Sequence, residues 1–210
     1  MKLVELAPNV SQALGRSHNS LIVAMKDYLV VFDAPQNEYQ SRWTIDAAKA
    51  KYPGKPIKYL VMTHHHMDHL GGARTYVAEG ATIIMGSPDK TYITAELSRP
   101  HRIHPDALQT QPRPVKIIEV KDQMALTNGE EIDIFRIPNG HVDGMLTMYV
   151  AGPKLVWVTD IYVPTAQARK NPENERFHQT IKALGLSPAL YAGGHGTTAS
   201  EADYQAMLAK

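Results

Sequence analysis

The run THHHMDHLGG, Thr63 to Gly72, places four of the chain's ten histidines and one aspartate within six residues. Imidazole nitrogens and carboxylate oxygens are the donors that hold divalent transition metals. In an extended segment successive side chains point to opposite faces, so His64 and His66 share a face and His65 takes the other. Asp68 and His69 follow as the chain turns out of the strand. Gly71 and Gly72 then let a helix start close against the backbone. One strand end can thus deliver three imidazoles and one carboxylate to one spot. A polar loop with chance histidines is the plainer reading, and the presence of partners elsewhere in the chain decides against it.

Three later positions share that context of a ligand-type side chain on a strand-end loop. His141 lies in RIPNGHVDGMLTMYV, Asp160 in LVWVTDIYVP and His195 in LYAGGHGTTAS. Rigid scaffolds present their chemistry on such loops. Singly, His141 could serve a turn, Asp160 could cap one and His195 could sit in a core; together with the first run they form a donor set. Other polar residues are weighed less heavily. Asp33 ends a strand and reads as a supporting position. His18, in SHNS, lies either at the mouth of a site or on an ordinary surface. Tyr162 could donate a hydrogen bond to a substrate or simply pack. His101, His104 and His178 read as surface residues, Trp43 and Trp157 as core.

The elements that must position these residues are legible in outline. SLIVAMKDYLVVFDA, Ser20 to Ala34, reads as a hairpin around Lys-Asp. Asn37 to Gly54 reads as a helix closed by Pro-Gly, and Ile57 to Thr63 as a buried strand. GGARTYVAEG follows as a short helix and ATIIMG as a strand. SPDKTYITAELS reads as a helix with Ser87 as N-cap and Pro88 at its first position. Arg99 to Pro114, with four prolines, reads as a long surface loop or linker. Strands follow in VKIIEV, EEIDIFRIP, MLTMYV and KLVWVTD, then helices in NERFHQTIKAL and SEADYQAML with the strand ALYAGGH between. This order favours a layered α/β domain with mixed sheets, one domain over residues 1–210.

Composition bounds the function. Hydrophobic residues make up 43% and charged residues 20%, an ordinary globular balance. The net charge of +1 gives no global field for nucleic acid or an anionic membrane, so neither is expected as a partner, a local patch aside. With no cysteine, thiolate ligands and a cysteine nucleophile are excluded. The N-terminus lacks the apolar run of a signal peptide and nothing downstream reads as a membrane span, which leaves a cytoplasmic default, with a trimmed domain of a longer or exported protein as the equal alternative.

THHHMDHLGG matches the H-x-H-x-D-H signature of the metallo-β-lactamase superfamily. NGHVDG, VTDIY and GGHG resemble its later ligand positions in the family's chain order, and LVVFDAP its early strand ending in Asp. The resemblance runs from about His18 to Gly196. It implies an αββα sandwich of two mixed β-sheets flanked by helices, with the site at one edge of the sheets. It implies two divalent metal ions, zinc foremost, iron or manganese otherwise. Carried over by position, His64, His66 and His141 would hold the first metal, Asp68, His69 and His195 the second, and Asp160 would bridge them. Two cations would lower the pKa of a bridging water so that hydroxide exists near neutral pH, with Asp68 as a catalytic residue orienting it.

Departures narrow the expectation. β-Lactamases with a Cys ligand are excluded, and another β-lactamase branch lacks the bridging Asp, so Asp160 points instead to the glyoxalase II, lactonase and phosphodiesterase branches. Only fifteen residues follow His195, too few for the helical substrate domain of typical glyoxalase II enzymes. The expected activity is hydrolysis of a small carbonyl ester, lactone, thioester or amide. The alternatives are a phosphodiesterase or nuclease of the same fold, or a metal-binding domain without hydrolytic activity.

Overall fold

Alternation within the apolar strands builds the layers. In β3 (Asn19–Ala24) Leu21 and Val23 face one side while Ile22 and Ala24 face the other, and all four are buried. Both faces of the strand must therefore be covered. The computed structural model describes residues 1–210, and it supplies that cover with two sheets packed face to face and helices on both outer faces.

The first sheet has the order β1 (Lys2–Ala7), β2 (Val10–Leu14), β3, β4 (Leu29–Phe32), β5 (Ile57–Val61), β6 (Thr82–Gly86), β7 (Ile117–Val120). Its first four strands pair antiparallel and β4 to β7 pair parallel. The second sheet has the order β13 (Thr198–Ser200), β12 (Leu190–Gly193), β11 (Leu155–Val158), β10 (Leu146–Val150), β9 (Glu131–Arg136), β8 (Gln123–Thr127). Only β11 and β12 are parallel there. Between the sheets lies an apolar layer that includes Leu21, Phe32, Val61, Ile134, Met148 and the fully buried Trp157. Burying one such large side chain contributes about 1.5–3 kcal/mol.

Helices α1 (Glu38–Lys51), α2 (Met67–Leu70), α3 (Ala73–Ala78), α4 (Lys90–Ser98) and α5 (Ala107–Thr110) precede the second sheet. From this set Ile45 of α1, Tyr76 of α3 and Ile93 of α4 close the outer face of the first sheet. Helices α6 (Pro172–Ala183) and α7 (Glu201–Leu208) close the second sheet with Phe177, Ile181, Tyr204 and Met207. No helix is long and apolar enough to cross a membrane.

Several local expectations change. Ser87 is not an N-cap: Ser87–Asp89 form a 3₁₀ turn with Pro88 inside it, and the Ser87 hydroxyl donates to the carbonyl of Val120. Residues 99–114 are not a free linker. Asp106 caps α5, and Arg74 of α3 binds both the Asp106 carboxylate and the Leu97 carbonyl. Trp43 is only partly buried, against the outer face of the first sheet. β1, β2 and β13 carry no strong alternation; their neighbours in the sheets recruit them.

Candidate metal centre

The site lies where strands of both sheets end. β5 leads through Thr63 into His64, His65 and His66, and α2 carries Asp68 and His69. The β9–β10 loop carries His141, the end of β11 Asp160, and the end of β12 His195. Backbone bonds tie the two sheets at this edge: Leu146 N–H donates to the Thr63 carbonyl and Asn19 N–H to the Gly194 carbonyl, both at 2.8 Å.

These residues converge in three overlapping groups. His64, His66 and His141 bring their ring centroids to 4.6–5.1 Å of one another. His18, Asp68, His69 and His195 form a second group whose donor atoms lie within 4.8 Å, and His64, His69 and Asp160 a third. Asp160 stands between the first two. Its Oδ2 lies 3.2 Å from His69 Nε2 and 3.6 Å from His64 Nε2; its Oδ1 lies 3.2 Å from His195 Nε2 and 3.9 Å from His141 Nε2. The Asp160 backbone is left-handed (φ 50°), and its Oδ2 accepts a hydrogen bond from Thr159 Oγ1 at 2.8 Å. A non-glycine residue held in that region marks local strain of the kind found at functional sites.

Supporting contacts fix which ring nitrogens face the centre. Thr63 Oγ1 donates to Asp33, so it accepts from His64 Nδ1–H at 3.1 Å. His64 Nε2 is then a bare lone pair, fully buried and without a hydrogen-bond partner. An unsatisfied buried acceptor costs about 1–3 kcal/mol, and a cation among the neighbouring donors would satisfy it. Asp33, fully buried, accepts Thr63 N–H at 2.8 Å and His69 Nδ1–H at 3.2 Å, which turns His69 Nε2 toward the cluster. Such carboxylate-histidine pairs orient metal-binding imidazoles. Five imidazoles and two carboxylates are a donor set that fits divalent transition metals.

The electrostatics agree with a centre built for positive charge. Burial, with the charge of His69 beside it, pushes His64 down to about 3. Burial also opposes charge on His69, but hydrogen bonds to Asp160 and Asp33 outweigh it and raise that imidazole to about 10. Asp160 is held far below the usual carboxylate range: burial opposes this, and hydrogen bonds from His195 and His69 overcome it.

His65 turns away, donating from Nδ1 to the buried Asp89 at 2.8 Å. Tyr162 does not reach the cluster. It is buried against Tyr204 and Tyr191, with ring centroids at 4.5 and 5.9 Å. His18 is nearly buried and touches Asp68 through Nε2 at 2.9 Å. Beside it opens a cleft of about 470 Å³ lined by Arg16, Ser17, Gln36, Asn37 and Tyr39 among others. Sequence reasoning missed Thr63, Thr159, Gln36 and Asn19. Asn19 Nδ2 donates to the carbonyls of Gly193 and Gly196 at 2.9 Å and so holds the His195 loop. Its partners lie more than 170 residues away, so no local pattern announces it.

The model of the family described as "Metallo-beta-lactamase superfamily" matches residues 13–208. A linear primary-alkylsulfatase from Pseudomonas sp. is 34% identical over 61 residues, which is 29% of this chain and 9% of that protein. The stereoselective inverting sec-alkylsulfatase Pisa1 from Pseudomonas sp. superposes with a TM-score of 0.72 at 18% identity, covering 99% of this chain and 40% of that one. The chain therefore spans well under half of either alkylsulfatase. A metallo-β-lactamase from Pontibacter korlensis superposes with a TM-score of 0.74 at 15% identity, covering 99% and 97% of the two chains. At these identities the structural likeness shows the shared fold, whereas the family match runs through nearly the whole sequence and every segment of the cluster: the chain belongs to the metallo-β-lactamase superfamily of hydrolases.

Proposed function

We propose that the chain is a binuclear metal-dependent hydrolase of small carbonyl esters, lactones, thioesters or amides. The observation that carries this reading is Asp160, whose two oxygens stand between His64 and His69 on one side and His195 and His141 on the other. His64, His66 and His141 would hold one divalent cation and Asp68, His69 and His195 a second, with Asp160 shared and zinc the foremost candidate. Bound cations would supply a water acidic enough to give hydroxide near neutral pH, and a Lewis acid for the scissile group. The chain's own residues prepare the rest. Thr63 and Asp33 set the tautomers of His64 and His69. Partial burial opposes charge on Asp68, but the His18 hydrogen bond and the charge of His69 together outweigh it and keep the carboxyl below its ordinary range. Asp68 is thus an anionic acceptor able to orient water.

A second reading, sulfate-ester hydrolysis, is favoured by the 34% local match to a linear primary-alkylsulfatase. The fold is shared by many chemistries and does not choose between them. Elemental analysis together with a panel of chromogenic esters, lactones, nitrocefin, an alkyl sulfate and bis-p-nitrophenyl phosphate separates the readings. Two metal equivalents with ester or lactone turnover is the expected result. Turnover of the alkyl sulfate alone selects the second reading, and turnover of the phosphodiester alone a phosphodiesterase. Bound metal without any turnover leaves a binding domain.

A further inference from the structure

His18 sits close enough to Asp68, His69 and His195 to be counted among their donor atoms, yet its own contacts give it a different task. Its Nε2 lies 2.9 Å from Asp68 Oδ2. Its Nδ1 lies 2.9 Å from the side-chain amide nitrogen of Gln36 and 2.7 Å from Ser17 Oγ. An amide nitrogen only donates, so Nδ1 accepts, and a neutral ring then carries its hydrogen on Nε2. That hydrogen points at Asp68 and occupies the lone pair a metal would need. We propose that His18 and Gln36 are positioning residues: Gln36 sets the tautomer of His18, and His18 holds the Asp68 carboxylate in the orientation that offers it to the second cation. This rests on the binuclear reading above and adds two residues to it.

The surrounding backbone is built to hold this arrangement. Gln36 has a left-handed backbone (φ 67°), the strained region for a side-chain-bearing residue. Its N–H donates to the Asp68 carbonyl at 3.1 Å. Its carbonyl lies so near Gly71 that a Cβ there would stand 2.2 Å from the oxygen. Gln36 is thus locked to the short helix that carries Asp68. From the other side Gln40 Nε2 donates to the His18 carbonyl at 2.8 Å. His18 is fixed at both its main chain and its ring, and hydrogen-bonded carboxylates of this kind bind metal more tightly than free ones.

The test combines zinc affinity, by competition with a chromogenic chelator, and ¹⁵N NMR of the His18 ring. His18→Ala should weaken the second zinc equivalent about 10- to 100-fold and leave the first nearly unchanged. His18→Gln keeps an N–H donor near the Nε2 position and should recover most of that loss. In the metal-free wild type the His18 ring should carry its hydrogen on Nε2, and Gln36→Glu, which turns the donor into an acceptor, should place a hydrogen on Nδ1. If His18→Gln loses zinc as severely as His18→Ala, His18 is a ligand and the proposal fails. It fails equally if His18→Ala binds zinc as the wild type does, or if the wild-type ring is protonated on Nδ1. A wild type that takes up no zinc would sink the binuclear reading instead, and the NMR arm would still decide the tautomer.

Discussion

At the scale of single residues, the three consecutive histidines have three different environments. His64 is fully buried with a bare nitrogen facing the cluster, His66 packs against His141, and His65 leaves to pair with Asp89. His65→Ala should leave metal content intact and lower stability by about 1–3 kcal/mol, because it strands the buried Asp89 carboxylate. His66→Ala should lose metal and rate together. Asp68→Asn keeps the shape but removes a negative donor, so turnover should fall by orders of magnitude. Metal content, melting temperature and rate of the three variants side by side check this ordering; equal metal loss in His65→Ala and His66→Ala would refute it.

The same residues set the pH dependence of the metal-free fold. His64 has a folded value of about 3 against an ordinary 6.5, so the unfolded chain binds a proton that the fold refuses. Stability should fall as pH drops from about 6.5 toward 3. His69 has the opposite sign: its folded value of about 10 lies above 6.5. Its contribution is fully present below 6.5 and is lost as pH rises toward 10. Melting temperatures of chelator-treated protein across this range should pass through a maximum near neutrality. A flat profile would show that the cluster carries no such linkage.

At the scale of elements, the turn from β5 into α2 and the loop after β4 work as one unit. Asp33 (φ 59°) and Gln36 both have left-handed backbones in that loop. Ala34 N–H and Gln36 N–H donate to the carbonyls of His69 and Asp68. Gly71 is required where the two segments meet, since any Cβ would strike the Gln36 carbonyl. Gly71→Ala should destabilise the fold by about 1–3 kcal/mol, as overpacking does. It should also weaken zinc binding through displacement of Asp68 and His69. Chemical denaturation and chelator competition test the two effects separately. Ordinary stability with ordinary zinc affinity would mean that the loop yields freely.

At the scale of the whole molecule, the cluster takes donors from both sheets. His64, His66, Asp68 and His69 follow a strand of the first sheet, while His141, Asp160 and His195 hang on the second. Cations held there would cross-link the sandwich. At free zinc about a hundredfold above Kd each site contributes about 2.7 kcal/mol. Two sites should therefore raise the melting temperature by roughly 10–20 °C, given about 2–4 °C per kcal/mol for a chain of this size. A chelator should reverse the shift. No thermal response to zinc would remove the support for binding across the sheets.

Much of this protein is decided locally and is therefore legible without coordinates. Continuous apolar runs such as LIVAM and LVWV announce strands covered on both faces, because only a strand buried twice can be apolar at every position. The parity of HHH separates His65 from its neighbours, because side chains of an extended segment alternate. The ligand-type residues stand out because His and Asp at the ends of such strands serve no core. What only the tertiary structure decided are relations between distant residues. The weakly patterned strands β1 and β13 form because a sheet edge offers them hydrogen bonds. Tyr162, two residues from Asp160, is buried in the tyrosine layer with Tyr191 and Tyr204 of α7. Asp160 reaches four histidines, Asn19 holds the His195 loop, and Gln36 sets the hydrogen on His18. Each of these rests on a distance of a few ångströms between segments far apart in the chain, and such a distance exists only once the two sheets have packed.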